Sequence, residues 1–429
     1  LIESTGDPAY HPQTIVRQSS LLYLMTGKGA NFILIGMVVG TILGALGGYF
    51  LGDFFISIKV VGTLFLNALK MIIIPLIVAS MIVGVTSLGD IRKLGRTTAK
   101  TVVFYLVTTS FSVLVGLILV NVIAPGSGVE RFGAHVPDIV AQSQGKTLGD
   151  VLLSMIPSNV IKAAAEGEIL PLIVFSLLFG AFLSVAGEKG KPVIAVFEGI
   201  NEAIMKLVIF IIYFAPIGVM VLIGSIVAEN RGSLDQLITG LGWYSLTVLL
   251  GLVIHASITL PLILKFLAHR RPFEYFVNMG EALATAFTTA SSSATLPITM
   301  ELVEDKNKVD ARAASFVLPL GATINMDGTA LYEAVAAIFI AQIYGVDLSF
   351  GQQVVIFFTA TLASIGAAGI PHAGTVMMVF VLSAVDLPLE GIGLIWAIDW
   401  FLDRCRTAVN VWGDSIGAVV ISETREFKN

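Results

Sequence analysis

The sequence predicts an all-α polytopic membrane protein, and three observations carry that reading. Hydrophobic residues make up 56% of the chain and charged residues only 13%, at a mean hydropathy of +0.90. A soluble domain carries about 25% charged residues. Eight apolar runs are long enough to cross a bilayer, and two further apolar segments are interrupted by small polar clusters. Together these predict eight transmembrane helices plus two re-entrant helical hairpins.

In order, the spans fall at about 30–53, 56–88, 98–124, 151–186, 194–228, 237–267, 310–344 and 388–422. Several exceed the roughly twenty residues a span requires, which implies tilted or broken helices. Loop charge sets the orientation. Arg92, Lys93, Arg96 and Lys100 follow the second span, His269, Arg270 and Arg271 follow the sixth, and Lys306, Lys308 and Arg312 precede the seventh. The loops Pro125–Asp150 and Glu229–Asp235 have no such basic excess, so both termini are expected in the cytoplasm. The polar stretch Leu1–Ser20 has no signal-peptide layout.

The first interrupted segment, about 273–305, breaks at Ser291-Ser292-Ser293-Ala294-Thr295-Leu296-Pro297. The second, about 350–386, breaks at Ser364-Ile365-Gly366-Ala367-Ala368-Gly369-Ile370-Pro371-His372-Ala373-Gly374. The charge pattern stays consistent only if each enters and leaves on one side. Non-helical backbone at such depth is tolerated only inside protein or along a wet cavity. Amide groups at a half-helix N-terminus suit an anion, and carbonyls at a C-terminus suit a cation. Paired interrupted segments, each followed by a full helix, point to inverted repeats around a transport site. Plain loops or close helix contacts remain the alternative for the glycine and serine clusters.

The last span carries Asp399, Asp403, Arg406, Asn410 and Asp414 in an otherwise apolar run. At about 100° per residue, these fall within about 80° of arc on one helix face. Ionised groups at the bilayer centre cost at least about 2.5–3.5 kcal/mol each on insertion scales, so they persist where they pair or bind. Three carboxylates against Arg404 and Arg406 leave charge for cations, and the arginines offer an anion site. Between the hairpins, Asn325-Met326-Asp327-Gly328-Thr329 sits in a long apolar segment, where it should unwind the helix and expose carbonyls. Oxygen ligands of modest charge favour sodium over a divalent ion; a self-satisfied polar kink is the alternative.

Other classes are disfavoured. Cys405 is the only cysteine, which excludes an intramolecular disulfide and a multi-cysteine metal site. The net charge of −5 argues against nucleic acid as a partner. His11, His135, His255, His269 and His372 lack metal-site spacing. An intramembrane enzyme would need a base beside Ser291–Ser293, and no His or Lys is adjacent in sequence.

Taken together, the 325–329 motif, the serine-rich tip, Gly366–Gly374 and the run Asp403-Arg404-Cys405-Arg406-Thr407 through Asn410 to Gly413-Asp414 resemble the glutamate transporter family. This is the dicarboxylate/amino acid:cation symporter family, and the resemblance covers the chain from about residue 30. The short extracellular loop looks prokaryotic, beside animal-like binding-site residues. The resemblance implies a homotrimeric elevator-type transporter in the cell (inner) membrane, in contact with lipid. Scaffold helices 1–2 would occupy 30–95 and scaffold helices 4–5 148–230. Transport-domain helix 3 would span 96–125, and the transport-domain core 235–425.

The resemblance also implies residue roles. Arg406 would hold the side-chain carboxylate of the substrate and Asp403 its amino group. Asn410, Ser292, Ser293 and the backbone near Ile370 and Gly374 would hold the α-carboxylate, with Thr329 and Thr407 nearby. One Na⁺ would lie at Gly321, Asn325, Asn410 and Asp414. A second would lie at Thr323, Met326, Ser364, Ile365 and Ala367. A third would lie at Tyr105, Thr108, Thr109, Asn325 and Asp327. The function implied is uptake of L-glutamate or L-aspartate coupled to Na⁺. Glu333 and Arg404, in an animal-like arrangement, add H⁺ co-transport and K⁺ counter-transport. His372 stands where relatives carry Gly or Gln. A proton- or Na⁺-driven C4-dicarboxylate carrier is the alternative, against which Asp403 argues. An anion channel is another.

Overall fold

The structure, a computed structural model, describes residues 28–87, 96–128, 155–366 and 373–424, with 149 and 153 singly. The polar stretch at Leu1–Ser20, the basic pair Arg92 and Lys93, most of the 125–150 loop and the second hairpin's tip at 367–372 lie outside these residues. The described chain is helical, with no strand among the described residues. Among the described residues, four helices are long and apolar enough to cross a membrane, or five with one bent pair taken as a single span.

The first half comprises α1 (Lys28–Phe50), α2 (Gly52–Ser57), α3 (Lys59–Thr86), α4 (Arg96–Ile123), α5 (Val160–Glu166), α6 (Ile169–Val185), α7 (Lys191–Tyr213) and α8 (Ala215–Glu229). The expected span at 151–186 is divided. Gly167 caps α5 in the left-handed conformation at φ 74°, which glycine adopts without steric penalty. The expected span at 194–228 bends by 53° between α7 and α8. Phe214 closes the first helix there, and Pro216, which lacks an amide donor, opens the second.

Close approach holds α1 against α8. Gly40, Gly44 and Gly48 repeat every fourth residue, and a Cβ on each would collide with the backbone oxygens of Pro216, Met220 and Gly224 respectively. Small residues at this spacing let helix backbones touch, which is the main source of adhesion where lipid removes the hydrophobic drive. Both α6 and α7 pack on α3.

The second half comprises α9 (Leu234–Ile254), α10 (Leu260–Leu267), α11 (Pro272–Asn278), α12 (Gly280–Thr289), α13 (Ser292–Glu301), α14 (Ala311–Ile324), α15 (Asp327–Ile343), α16 (Phe350–Ala363), α17 (Ala373–Ala384) and α18 (Ile392–Ser422). A widened π-turn at His255–Thr259 joins α9 to α10. Helices α12 and α13 pack on each other as a hairpin. Their turn is made by Ala290 at φ 50° and an extended Ser291, whose side chain caps α13 by accepting from the Ala294 amide at 3.1 Å. The second hairpin pairs α16 with α17, and α16 begins in a capping box formed by Ser349 and Gln352.

The seventh span unwinds where the sequence predicts. Asn325 ends α14 in an extended conformation, and Asp327 opens α15. From Asp327 to Ala341 every residue of α15 is buried, so this helix lies at the centre of the fold. Around it pack α4, α9, α16, α17 and α18, while α18 also carries both arms of the first hairpin.

Candidate functional site

The polar face of α18 is buried from Asp399 to Asp414. The Arg406 guanidinium lies 3.7 Å above the Tyr332 ring, and its Nη2 donates to Asp399 Oδ1 at 2.9 Å and Asp403 Oδ1 at 2.8 Å. Both hydrogens of Nη2 are thereby used, while Nε and Nη1 have no hydrogen-bond partner. Donors on a buried cation are costly to leave unpaired, so these two nitrogens can take a further hydrogen-bond acceptor. The second hairpin borders the open side: a Cβ on Gly374 would lie 3.1 Å from Nη1 and 2.9 Å from Thr329 Cγ2. Its neighbour Thr375 donates to Asp399 Oδ2 at 2.9 Å.

Asn410 ties α18 to α15. Its Oδ1 accepts from the Gly328 amide at 2.8 Å, and its Nδ2 donates to Thr329 Oγ1 and Met326 Sδ, each at 3.3 Å. Thr407 turns its hydroxyl to the Asp403 carbonyl at 2.8 Å. Ser292 is buried and Ser293 half-buried at the tip of the first hairpin. Ile370 and His372 lie outside the described residues.

The expected cation ligands gather beneath. Asn325 Nδ2 donates to Asp414 Oδ1 at 2.9 Å and to the Asn410 carbonyl at 3.4 Å, which leaves Asn325 Oδ1 buried with no partner. Rotating that amide by half a turn would place three oxygens around one point, a rearrangement open to any amide side chain. Gly321 faces the same point, since a Cβ there would lie 2.5 Å from both Asp414 Oδ1 and Tyr105 Oη. Asp327 Oδ1 accepts from Thr109 Oγ1 at 2.7 Å and Thr108 Oγ1 at 3.3 Å. Tyr105 Oη donates instead to the Val317 carbonyl at 3.1 Å. The 3₁₀ turn Ser364–Gly366 packs on α14 and α15, and Ile365 lines one cavity together with Ile324 and Tyr105. Ala367 lies outside the described residues.

The chain matches the sodium:dicarboxylate symporter family over residues 31–424. It is 40% identical to excitatory amino acid transporter 1 of Ambystoma tigrinum, with 95% of this chain and 85% of that protein covered. It is 41% identical to excitatory amino acid transporter 3 of Mus musculus, covering 84% and 78%. A putative sodium-dependent excitatory amino acid transporter of Caenorhabditis elegans, glt-4, is 39% identical over 92% and 90%. The chain belongs to the sodium:dicarboxylate symporter family.

The symporter is thus a multi-pass membrane transporter and not an enzyme. These relatives are animal proteins, and they lend no support to the prokaryotic placement read from the loop. Glu333 is fully buried on α15, and neither carboxyl oxygen meets a hydrogen-bond partner. Arg404 is not joined to it by any described contact, and bonds the Trp400 carbonyl of its own helix at 3.1 Å.

Sequence reasoning missed three side chains of this site. His255 Nε2 lies 3.0 Å from Asp327 Oδ2, and Ser112 Oγ donates to the Asp327 carbonyl at 2.8 Å. Thr375 is the third. A lone histidine in an apolar span was the one available signal, and the π-turn that presents it has no sequence signature.

Proposed function

We propose that this chain is a secondary active symporter that takes up L-aspartate or L-glutamate on a sodium gradient. The observation that carries the reading is Arg406, buried with two carboxylates on Nη2 and nothing on Nη1. A bidentate carboxylate approaching the Nη1–Nη2 edge accepts from Nη1 and competes for Nη2. Displacing Asp403 from Nη2 frees that carboxylate for the substrate's ammonium group. A C4-dicarboxylate brings no ammonium, so it offers no positive charge to the buried Asp403 carboxylate. The similarity to excitatory amino acid transporters supports the same substrate class.

One guanidinium against the buried carboxylates Asp327, Asp399, Asp403 and Asp414 leaves three formal negative charges. Three monovalent cations at the sites described would balance them. Glu333, partnerless, is assigned to H⁺ co-transport, with Glu333 and Arg404 acting in K⁺ counter-transport. We assign 30–95 and 148–230 to a scaffold, and 96–125 and 235–425 to a domain that moves against it as an elevator. Eight spans and two re-entrant hairpins would place both termini in the cytoplasm of the cell (inner) membrane. Exposed apolar residues on the scaffold, among them Ile42, Leu46, Val60 and Leu64, suit lipid and the contacts of a homotrimer.

The test is uptake of radiolabelled L-aspartate and L-glutamate into proteoliposomes with an inward Na⁺ gradient and internal K⁺ or choline. Na⁺-dependent uptake that also requires internal K⁺ is expected. Indifference to K⁺ would remove the counter-transport claim alone. Na⁺-driven succinate uptake without amino acid uptake would overturn the substrate assignment.

A further inference from the structure

Thr375 has a hydroxyl that none of the roles above uses. It lies on α17, the returning arm of the second hairpin, next to Gly374, and it is buried. Its Oγ1 donates to Asp399 Oδ2 at 2.9 Å, while the other oxygen of the same carboxylate accepts from Arg406 Nη2 at 2.9 Å. The hairpin arm is therefore joined to the guanidinium through one carboxylate and two hydrogen bonds. Gly374 brings the same arm against Nη1, so α17 constrains Arg406 on both sides of its outer edge.

We infer that Thr375 is a positioning residue for acidic substrates, which ties the returning arm of the second hairpin to the orientation of Arg406. The inference rests on the assignment of Arg406 to the substrate's second carboxylate. When that carboxylate draws Arg406 away from Asp403, Asp399 is the partner that remains. A carboxylate held by a hydroxyl at one oxygen presents the other in a fixed place, and hydrogen bonds to charged groups are the stronger kind. Without the hydroxyl, Asp399 Oδ2 loses its contact with α17, and the hairpin arm loses its link to Arg406. A hydroxyl that merely satisfied its own hydrogen bond would affect stability and not the KM for aspartate.

The experiment compares wild type, Thr375→Val, Thr375→Ala and Thr375→Ser in proteoliposomes. KM and kcat are measured for L-aspartate, with the ligand-induced thermal shift of the purified protein as a binding readout. Valine keeps the shape and removes the hydroxyl; serine keeps the hydroxyl. The expected result is a KM for aspartate about tenfold higher in the valine and alanine variants, with kcat within about twofold of wild type and serine near wild type. The aspartate-induced thermal shift should shrink in parallel, while the Na⁺-induced shift stays unchanged. Wild-type KM in Thr375→Val, or a serine variant as impaired as valine, overturns the role of Thr375 and leaves the substrate reading intact. A wild-type protein that moves no aspartate overturns both.

Discussion

At the scale of single residues, the proposed site rests on buried polar groups that the protein itself leaves without a hydrogen-bond partner. Arg406 Nη1, Asn325 Oδ1 and both Glu333 oxygens lack partners in the interior of a protein, where more than nine in ten polar groups are satisfied. Glu333→Gln is expected to flatten the pH dependence of aspartate uptake, and an unaltered profile would defeat the proton claim. Asp327→Asn is expected to raise the Na⁺ concentration at half-maximal thermal stabilisation by at least about tenfold, since it removes charge from a group bonded to Thr108 and Thr109; an unchanged Na⁺ titration would remove Asp327 from the cation sites. Helical periodicity made the Asp399–Asp414 face legible, because those five residues share one helix. Two other partners of Asp327 were not legible: His255 and Ser112 lie 72 and 215 residues away in sequence, and only the tertiary fold brings them together.

Among elements, the breaks decide what the molecule can bind. The break at Asn325–Met326 could be read from the sequence, because Asn, Asp and Gly together disfavour a helix in an apolar run. The breaks at Gly167 and Phe214 could not, since isolated Gly and Pro are also common inside membrane helices. Close packing of α1 on α8 makes Gly44→Leu a sharp probe. The added side chain meets the Met220 backbone, which cannot move aside as a flexible side chain would. Folded yield in detergent should fall severely, whereas Gly242→Leu, with open space at its Cβ, should be tolerated. At the start of α14, Asp310 caps the helix by accepting from the Arg312 amide at 2.8 Å, and the Arg312 side chain holds its carboxyl down at about 2. A folded value below the unfolded one, near 3.9, means the cap's contribution is full above about pH 4 and fades as pH falls through 2. Amide exchange at Arg312–Ala314 should therefore be slower in wild type than in Asp310→Ala at pH 7, and the gap should close near pH 2. A gap that persists at pH 2 would mean the carboxylate is not the cap.

For the whole molecule, coupling is a free energy shared between the cation and substrate sites. In the proposed cycle Asn410, whose carbonyl accepts from Asn325 and whose side-chain amide donates to Thr329, would serve both sites, so each ligand should tighten the other by the same factor. The membrane potential adds about 2.3 kcal/mol per net inward charge for each 100 mV, which favours accumulation when positive charge enters with the substrate. All of this depends on Arg406 reading the second carboxylate of the substrate. The most direct measurement is Na⁺-driven uptake of L-aspartate and L-alanine, side by side, by wild type and Arg406→Ala in the same proteoliposomes. Wild type should favour aspartate strongly. Removing the guanidinium should reduce aspartate uptake at least a hundredfold and shift preference to alanine. Retained aspartate uptake in Arg406→Ala would contradict the account.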